Sequence, residues 1–415
     1  MASPDKMEFD TFTLPNGLRV LHKQDRSPVA HCALIINAGS RDEGPHQEGL
    51  AHFIEHMLFK GTQKRKAYHI LSRLDDVGGE LNAFTGKEET TLYTAFLSEF
   101  YPRALELLFD ISFQSVFPEK ELAKEKDVVL EEISSYMDSP SELIFDDFET
   151  LIFKGHPIGR HILGTPESVK GLTREDVTGF IHGFYNPEQM VLASVGNLSP
   201  AKFKQLAEKY AGHFPANKRL QNRKPLNGYH AENLTTPKDT FQAHLILGNR
   251  AYDMRHKRAR TLILLNNLLG GPGMNSRLNL NIREKYGFAY NIESFYTPYT
   301  DTGIFGVYAG TDHTTIDKTL TLIHRELKLL REKPLGTLQL AKAKKQLMGQ
   351  IALAQESNGS LMLSLGKSLL HFNRVDTLKQ VYDKIEAITV GDVQDVAQEV
   401  FDPKQLSLLT YTGKS

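Results

Sequence analysis

Residues 49–62 read Gly49-Leu50-Ala51-His52-Phe53-Ile54-Glu55-His56-Met57-Leu58-Phe59-Lys60-Gly61-Thr62. Leu50, Phe53, Ile54, Met57 and Leu58 recur at helical spacing and Lys60-Gly61 supplies a stop, so a helix is predicted from Gly49 to Phe59. Its polar face carries the chemistry. At about 100° per residue, His56 lies roughly 40° round from His52 and one turn along, and Glu55 about 60° to the other side. Two imidazoles and a carboxylate therefore share one face. Imidazole nitrogens suit Zn²⁺, and a carboxylate that is not itself a ligand can take a proton from a metal-bound water whose pKa has fallen to about 7.

Two ligands leave a catalytic zinc one short of its usual three protein donors and open fourth position. The helix predicted from Pro118 to Tyr136 offers Glu119, Glu121, Glu125, Glu131 and Glu132. Glu125 and Glu132 are seven residues apart, two turns, and project from the same side. Solvation of the helix face is the ordinary use of such carboxylates, and spacing alone leaves the choice open. His22, His31, His46, His69, His161 and His182 have no second ligand at metal spacing and read as surface or hydrogen-bonded core residues.

Outward from this helix the chain is organised as alternating strands and helices. Phe9 to Leu14, the turn Pro15-Asn16-Gly17 and Leu18 to Leu21 read as a β-hairpin, followed by a strand from Val29 to Asn37. Strands are expected at Glu80 to Phe84 and Thr90 to Leu97, and helices at Glu99 to Ser115, Pro118 to Tyr136 and Pro140 to Phe153. From Ala211 to Lys238 the periodicity fades into a polar stretch holding Pro215, Pro225 and Pro237. A linker over 221–238 thus separates an N-terminal domain, 1–220, from a C-terminal one, 239–415. The order then repeats in outline: a strand at Thr240 to Leu247, a helix at His256 to Leu269, strands at Ala289 to Phe295 and Gly303 to Ala309, and helices to Phe401. Two homologous α+β halves are expected. The second-half helix has no second His and no Glu, so one metal site per chain follows.

Charge and cysteine content exclude several classes of partner. Of 415 residues, 49 are Lys or Arg and 50 Asp or Glu, a net charge of −1, which argues against a nucleic-acid groove or an anionic membrane surface as main partner. Cys32, the single cysteine, allows no intrachain disulfide and sits in the apolar run from His31 to Ile36, as a buried hydrophobe would. The N-terminus lacks the apolar core of a signal peptide and no window reaches the roughly 18 apolar residues of a membrane span, so a cytoplasmic location is expected.

The order His-x-x-Glu-His inverts the commoner zinc-peptidase motif. The segment from Gly49 to Thr62 resembles the active-site helix of the inverted-motif zinc peptidases, the pitrilysin and insulinase family, and most closely its mitochondrial-processing-peptidase-like, half-length branch. Gly78-Gly79-Glu80-Leu81-Asn82-Ala83-Phe84-Thr85 is similar to the family's substrate-binding edge strand, and Glu125-Lys126-Asp127-Val128-Val129-Leu130-Glu131-Glu132-Ile133 to the helix bearing its third ligand. His156-Pro157-Ile158-Gly159, Gly164-Thr165-Pro166-Glu167 and the run from Asn186 to Asn197 agree in order. Arg283-Glu284-Lys285-Tyr286-Gly287-Phe288-Ala289-Tyr290 resembles the segment whose Arg and Tyr hold the substrate backbone. The loop Gly270-Gly271-Pro272-Gly273 departs from the family's shorter glycine-rich loop, which lacks the proline.

The resemblance implies two similar α+β halves, each an antiparallel sheet packed with helices, enclosing a chamber. It assigns His52, His56 and Glu132 as ligands of one Zn²⁺, Glu55 as general base and Glu125 as the supporting carboxylate seven residues before the ligand; Glu131 would break that spacing. Asn82, Ala83 and Thr85 would add a peptide substrate as an extra strand, with Arg283 and Tyr290 holding it from the other half. The implied activity is zinc-dependent endopeptidase action on peptides or unfolded segments. Because a complete peptidase of this family generally needs four such units, a homodimer is expected. The alternative that the family leaves open is a non-catalytic core or partner subunit of the same fold.

Overall fold

The hairpin expected near the start forms in the computed structural model, which describes residues 9–226 and 228–413. Strands β1 (Asp10–Thr13) and β2 (Arg19–Gln24) pair antiparallel across a turn in which Gly17 takes a left-handed φ of +87°. With β3 (Val29–Ile36), β4 (Glu80–Thr85), β5 (Thr90–Leu97) and β6 (Met190–Gly196) they make a sheet of order β1-β2-β6-β3-β5-β4. A second sheet holds β7 (Asn233–Pro237), β8 (Ala243–Ala251), β9 (Ala289–Pro298), β10 (Gly303–Thr311) and β11 (Ser407–Thr412) in the order β7-β11-β8-β10-β9. Set β1 aside and the two orders are the same, which gives the expected pair of similar α+β halves a common topology.

The sheets are not purely antiparallel, as the sequence reading had them: β6 runs parallel to β2, and β11 parallel to β7. The cause is geometric. Each half's last strand enters between two earlier strands that run in opposite directions, so it must be parallel to one of them. Strand β7 also falls inside the stretch 221–238 expected as linker.

Helices α1 (Leu50–Met57) and α2 (Ala67–Asp75) lie between β3 and β4. Next, α3 (Tyr101–Phe113), α4 (Glu119–Met137), α5 (Pro140–Ile152), α6 (Pro166–Gly171) and α7 (Arg174–Phe184) precede β6, and α8 (Pro200–Ala211) follows it. In the second half, α9 (Ala259–Gly270) follows β8, while α10 (Ile316–Glu332), α11 (Thr337–Ala354), α12 (Asn358–Phe372), α13 (Leu378–Glu386) and α14 (Val390–Val400) separate β10 from β11.

The compact units cross the expected domain boundary twice. One comprises the segment ending at Ser134, Arg160–Arg223 and Leu353–Thr377; the other comprises Ser135–Gly159, Lys224–Ala352 and the segment from Leu378. In effect the two halves exchange equivalent helices. Within the first unit, Leu361, Met362, Leu365, Leu369 and Leu370 of α12 pack on Leu21, Ala33, Ile35, Val191, Ala193 and Val195 of the sheet. The opposite face carries a larger core in which Ala30, Cys32, Leu34 and Ile36 meet Phe53, Ile54, Leu105, Leu108 and Phe203. Strand β3 is thus apolar on both sides because both sides are covered, which is why its sequence runs on rather than alternating. Burial pushes the Cys32 thiol up to about 12, as its reading as a small hydrophobe requires. Within the second unit, Ile144, Phe148 and Ile152 of α5 pack on Ile246, Ile304 and Leu409, and the hydroxyls of Tyr411 and Tyr299 donate to Asp147 and Glu149.

Helix α12 is held to its sheet at close range. Arg19 Nη1 donates to the C-terminal carbonyls of Leu369 and Leu370 at 2.8 and 3.2 Å. A Cβ at Gly366 would stand 2.6 Å from Ile35 Cδ1 and 2.8 Å from Ala193 Cβ, so the helix sits where only a glycine fits. Gly366→Leu should therefore lower stability by about 1–3 kcal/mol or more through overpacking. Denaturant unfolding with an unchanged midpoint would reject this close packing.

Candidate metal centre

The N-terminus of α1 is set by two features. Gly49 takes φ +90°, and a Cβ there would lie 2.6 Å from the Leu163 carbonyl oxygen. The buried Glu43 side-chain oxygens accept the amides of Gly49 and Ala51 at 3.1 and 2.8 Å, satisfying N–H groups that the helix N-terminus leaves without an intrahelical partner. Burial holds the Glu43 carboxyl well above the usual carboxylate range, only partly offset by those amides. Nothing in its loop sequence signals this role; it emerges only when the chain folds back.

Leu50, Phe53, Ile54 and Met57 face the core, leaving His52, Glu55 and His56 on the other side of α1. The two imidazole centroids are 4.6 Å apart. From α4, Glu132 Oε2 approaches His52 Nε2 at 3.7 Å and His56 Nε2 at 3.5 Å. One potential ligand atom from each of the three lies within 4.8 Å of the others, and among the described residues they form the one such group of His, Cys, Asp or Glu. Glu131 is exposed and stays outside it.

The surroundings prepare this group for a metal. His56 Nδ1 and Glu125 Oε1 are 2.8 Å apart, and Lys60 Nζ pairs with Glu125 Oε2 at 2.6 Å. A carboxylate on Nδ1 holds the proton there and leaves the Nε2 lone pair free for a metal. Burial opposes charge on His56, but the Glu125 hydrogen bond and the charges of Glu125, Glu132 and Glu55 outweigh it, so its pKa is raised. Burial, then the neighbouring His56, brings His52 down to about 4, which keeps its ring neutral and able to ligate at neutral pH. The buried His52 Nδ1 has no hydrogen-bond partner among the described residues. Glu125 is itself buried, yet the His56 and Lys60 hydrogen bonds prevail and lower its pKa. The neutral His52, the oriented His56 and the half-exposed Glu132 together suit a divalent, nitrogen-preferring metal such as zinc.

Glu55 stands apart from the three donors. The Thr85 hydroxyl donates to its Oε2 at 2.6 Å, and burial raises its pKa, partly offset by that hydrogen bond. Thr85 belongs to β4, which ends its sheet; among the described residues its outer edge has no strand partner. Asn82 on that strand is exposed, and Ala83 is half-buried. Thr85 was expected only to bind substrate, whereas its hydroxyl is engaged by Glu55. Lys60, read from sequence merely as part of a helix stop, is a further residue of the centre.

In the second unit, Arg283 lies exposed in the π-helical turn Asn279–Glu284, its Nη1 3.4 Å from Asn279 Oδ1, and Tyr290 is 62% exposed on β9, the end strand of that sheet. Helix α9, the counterpart of α1, has neither His nor Glu.

A two-unit α+β fold with His-x-x-Glu-His on a helix and a third carboxylate donor from another defines the class of inverted-motif zinc proteases. The family model described as insulinase (peptidase family M16) matches residues 19–166, and that described as the peptidase M16 inactive domain matches 171–347. An uncharacterized zinc protease of Bacillus subtilis is 35% identical over 97% of this chain and 98% of its own length, and one of Rickettsia felis is 34% identical over 95% and 96%. The chain belongs to peptidase family M16. The fold is shared with a Pseudomonas fluorescens structure described as a peptidase M16 inactive domain (TM-score 0.91, 22% identity, 99% of this chain and 98% of that one). It is shared also with a protease from Helicobacter pylori (TM-score 0.88, 23% identity, 97% and 99%). Among the described residues no helix is long and apolar enough to cross a membrane.

Proposed function

We propose that this chain is a zinc-dependent endopeptidase acting on peptides or unfolded segments. The observation that carries this reading is that three potential metal donors, two imidazoles and one carboxylate, converge while a second carboxylate on the same helix face, Glu55, lies outside the group and accepts a hydrogen bond from Thr85. A structural zinc site would ordinarily be closed by a fourth protein donor. A non-catalytic subunit would have no use for a carboxylate kept free beside the donors.

In this reading His52, His56 and Glu132 hold the metal. Bound zinc supplies Lewis acidity, which lowers the pKa of a water and polarises a carbonyl oxygen. Glu55 accepts the water's proton at its carboxylate and passes it to the departing amine; its raised pKa brings base strength and neutral pH closer together. Glu125 keeps the proton of His56 on Nδ1. The open edge of β4, through the main chain of Asn82 and Ala83, receives the substrate as an added strand, which gives affinity with little sequence preference. Arg283 and Tyr290 hold the substrate backbone, and both are exposed as that role requires. The resemblance to the half-length, processing-peptidase-like branch supports a homodimer.

Incubation with a mixed peptide library is expected to give cleavage that a chelator abolishes and added zinc restores, while a folded globular protein resists because a substrate must enter extended. Light scattering on the same sample should read two chains. Cleavage indifferent to chelation would overturn the zinc mechanism, and rapid digestion of the folded protein would overturn strand addition.

A further inference from the structure

The turn joining β4 to β5 has an unexpected setting. Lys87, Glu88 and Glu89 are three consecutive charges at a hairpin tip, a composition that reads as a solvated loop. Yet Lys87 and Glu88 are 6% and 5% exposed, and the Glu89 side chain 13%. Each is paired within the first unit. Lys87 Nζ donates to the Arg160 carbonyl at 2.6 Å, and Arg41 Nη1 donates to Glu88 Oε1 at 2.6 Å, while Arg223 Nη2 reaches the Glu88 carbonyl, also at 2.6 Å. Glu89 Oε2 lies 3.0 Å from His371 Nε2, and its Oε1 pairs with Lys367 Nζ. Main-chain amides of Ser40 and Arg41 close on the carbonyls of Gly86 and Lys87 at 3.1 and 2.8 Å. Withdrawing charges from water is costly even when they are paired, and a turn needed only to join two strands is made more simply with Asn-Gly or Asp-Gly.

The grip on Glu89 comes from α12. Lys367 and His371 are four residues apart, one turn, on the helix that covers the back of the sheet. Lys367 Nζ also lies 5.1 Å from the centre of the Phe84 ring, within cation–π range. Phe84 stands between Ala83, on the open edge, and Thr85, which holds Glu55. The helix therefore reaches the end of β4 that adjoins the metal centre, from the face opposite α1.

We infer that Lys367 and His371, acting through Glu89 and Phe84, are positioning residues that fix the end of β4 so that an extended peptide adds to its edge in one register. This rests on the peptidase reading above. A strand held rigidly in place loses less entropy when a second strand pairs with it, so the effect falls on substrate binding rather than on the chemical step.

The test uses the full-length, zinc-loaded protein carrying Lys367→Met or Glu89→Gln. Because Lys367 is partly exposed, its replacement should fold. KM is expected to rise about tenfold with kcat and zinc content unchanged. Hydrogen exchange at the amides of residues 86–90 should accelerate while the rest of the unit keeps its protection, and Lys367→Arg, which keeps the charge, should restore both. In a Glu55→Gln background the same replacements should weaken binding of an uncleaved peptide by the same factor. Cleavage with unchanged KM and peptide affinity would overturn the positioning role and leave the peptidase reading standing. Absence of cleavage in the unaltered protein, with peptide binding still weakened by Lys367→Met, would overturn the peptidase reading and leave the positioning role. Loss of protection throughout the unit, with kcat and zinc falling together, would reduce α12 to a purely structural element.

Discussion

Glu55→Gln is expected to keep its zinc and lose peptide cleavage. The three donors do not include Glu55, so the metal group stays intact. The Thr85 hydroxyl can donate to an amide oxygen as it does to the Glu55 carboxylate, so the side chain should hold its place. What the amide cannot do is accept a proton. Loss of a general base costs about 10²- to 10⁴-fold, and more where base and metal act as a unit. The measurements are zinc content by elemental analysis and turnover of a peptide identified by library cleavage. Turnover near that of the unaltered protein would remove Glu55 from the mechanism; zinc loss would place it among the ligands instead.

The second large effect concerns the third donor. Glu132→Gln should release zinc, whereas Glu131→Gln, one residue away and exposed, should retain it. Glu125→Gln should fall between them, since removing a hydrogen-bond partner behind a ligand costs about 10- to 100-fold in metal affinity, less than removing the ligand itself. Acid should act first at His56. The carboxylates around it raise its pKa, so as pH falls a proton competes with metal there well before His52, held down to about 4, is protonated. Elemental analysis of the three variants after dialysis decides the matter: zinc lost from Glu131→Gln alone would show the wrong carboxylate chosen.

Much of this centre was legible in the sequence because helical geometry converts spacing directly into direction. Two His and a Glu within five residues must share a face, and Glu125 and Glu132, two turns apart, must project together. Side chains whose partners are distant in sequence carried no such signal. The Thr85 hydroxyl bonds to Glu55 thirty residues away, and Lys60, just past the end of α1, meets Glu125 of α4. In the same way, the apolar stripes of α5 and α12 declare that each helix buries a face but not which sheet receives it, so continuous domains were the natural expectation. Strand β6 and strand β11 fit between earlier strands for reasons of topology that periodicity does not record. Burial of the charged turn at Lys87-Glu88-Glu89 likewise depends on Arg41, Arg160, Arg223, Lys367 and His371, all brought in from elsewhere in the chain, so no local pattern announces it.

The exchanged helices also order the chain's birth on the ribosome. The first sheet is complete once Gly196 has been made, yet one of its faces stays wet until the stretch Asn358–Phe372 emerges, more than 150 residues later. For that interval Ala33, Ile35, Val191, Ala193 and Val195 form an apolar surface of the kind that draws nascent chains into aggregation or onto chaperones. Helix α5 emerges before the sheet it covers, and must wait for it. Neither unit can mature alone from the segment nearest to it in sequence, so the proposed metal centre, although His52, His56 and Glu132 are all made by residue 132, rests on a sheet whose second face is covered only when nearly the whole chain has been synthesised.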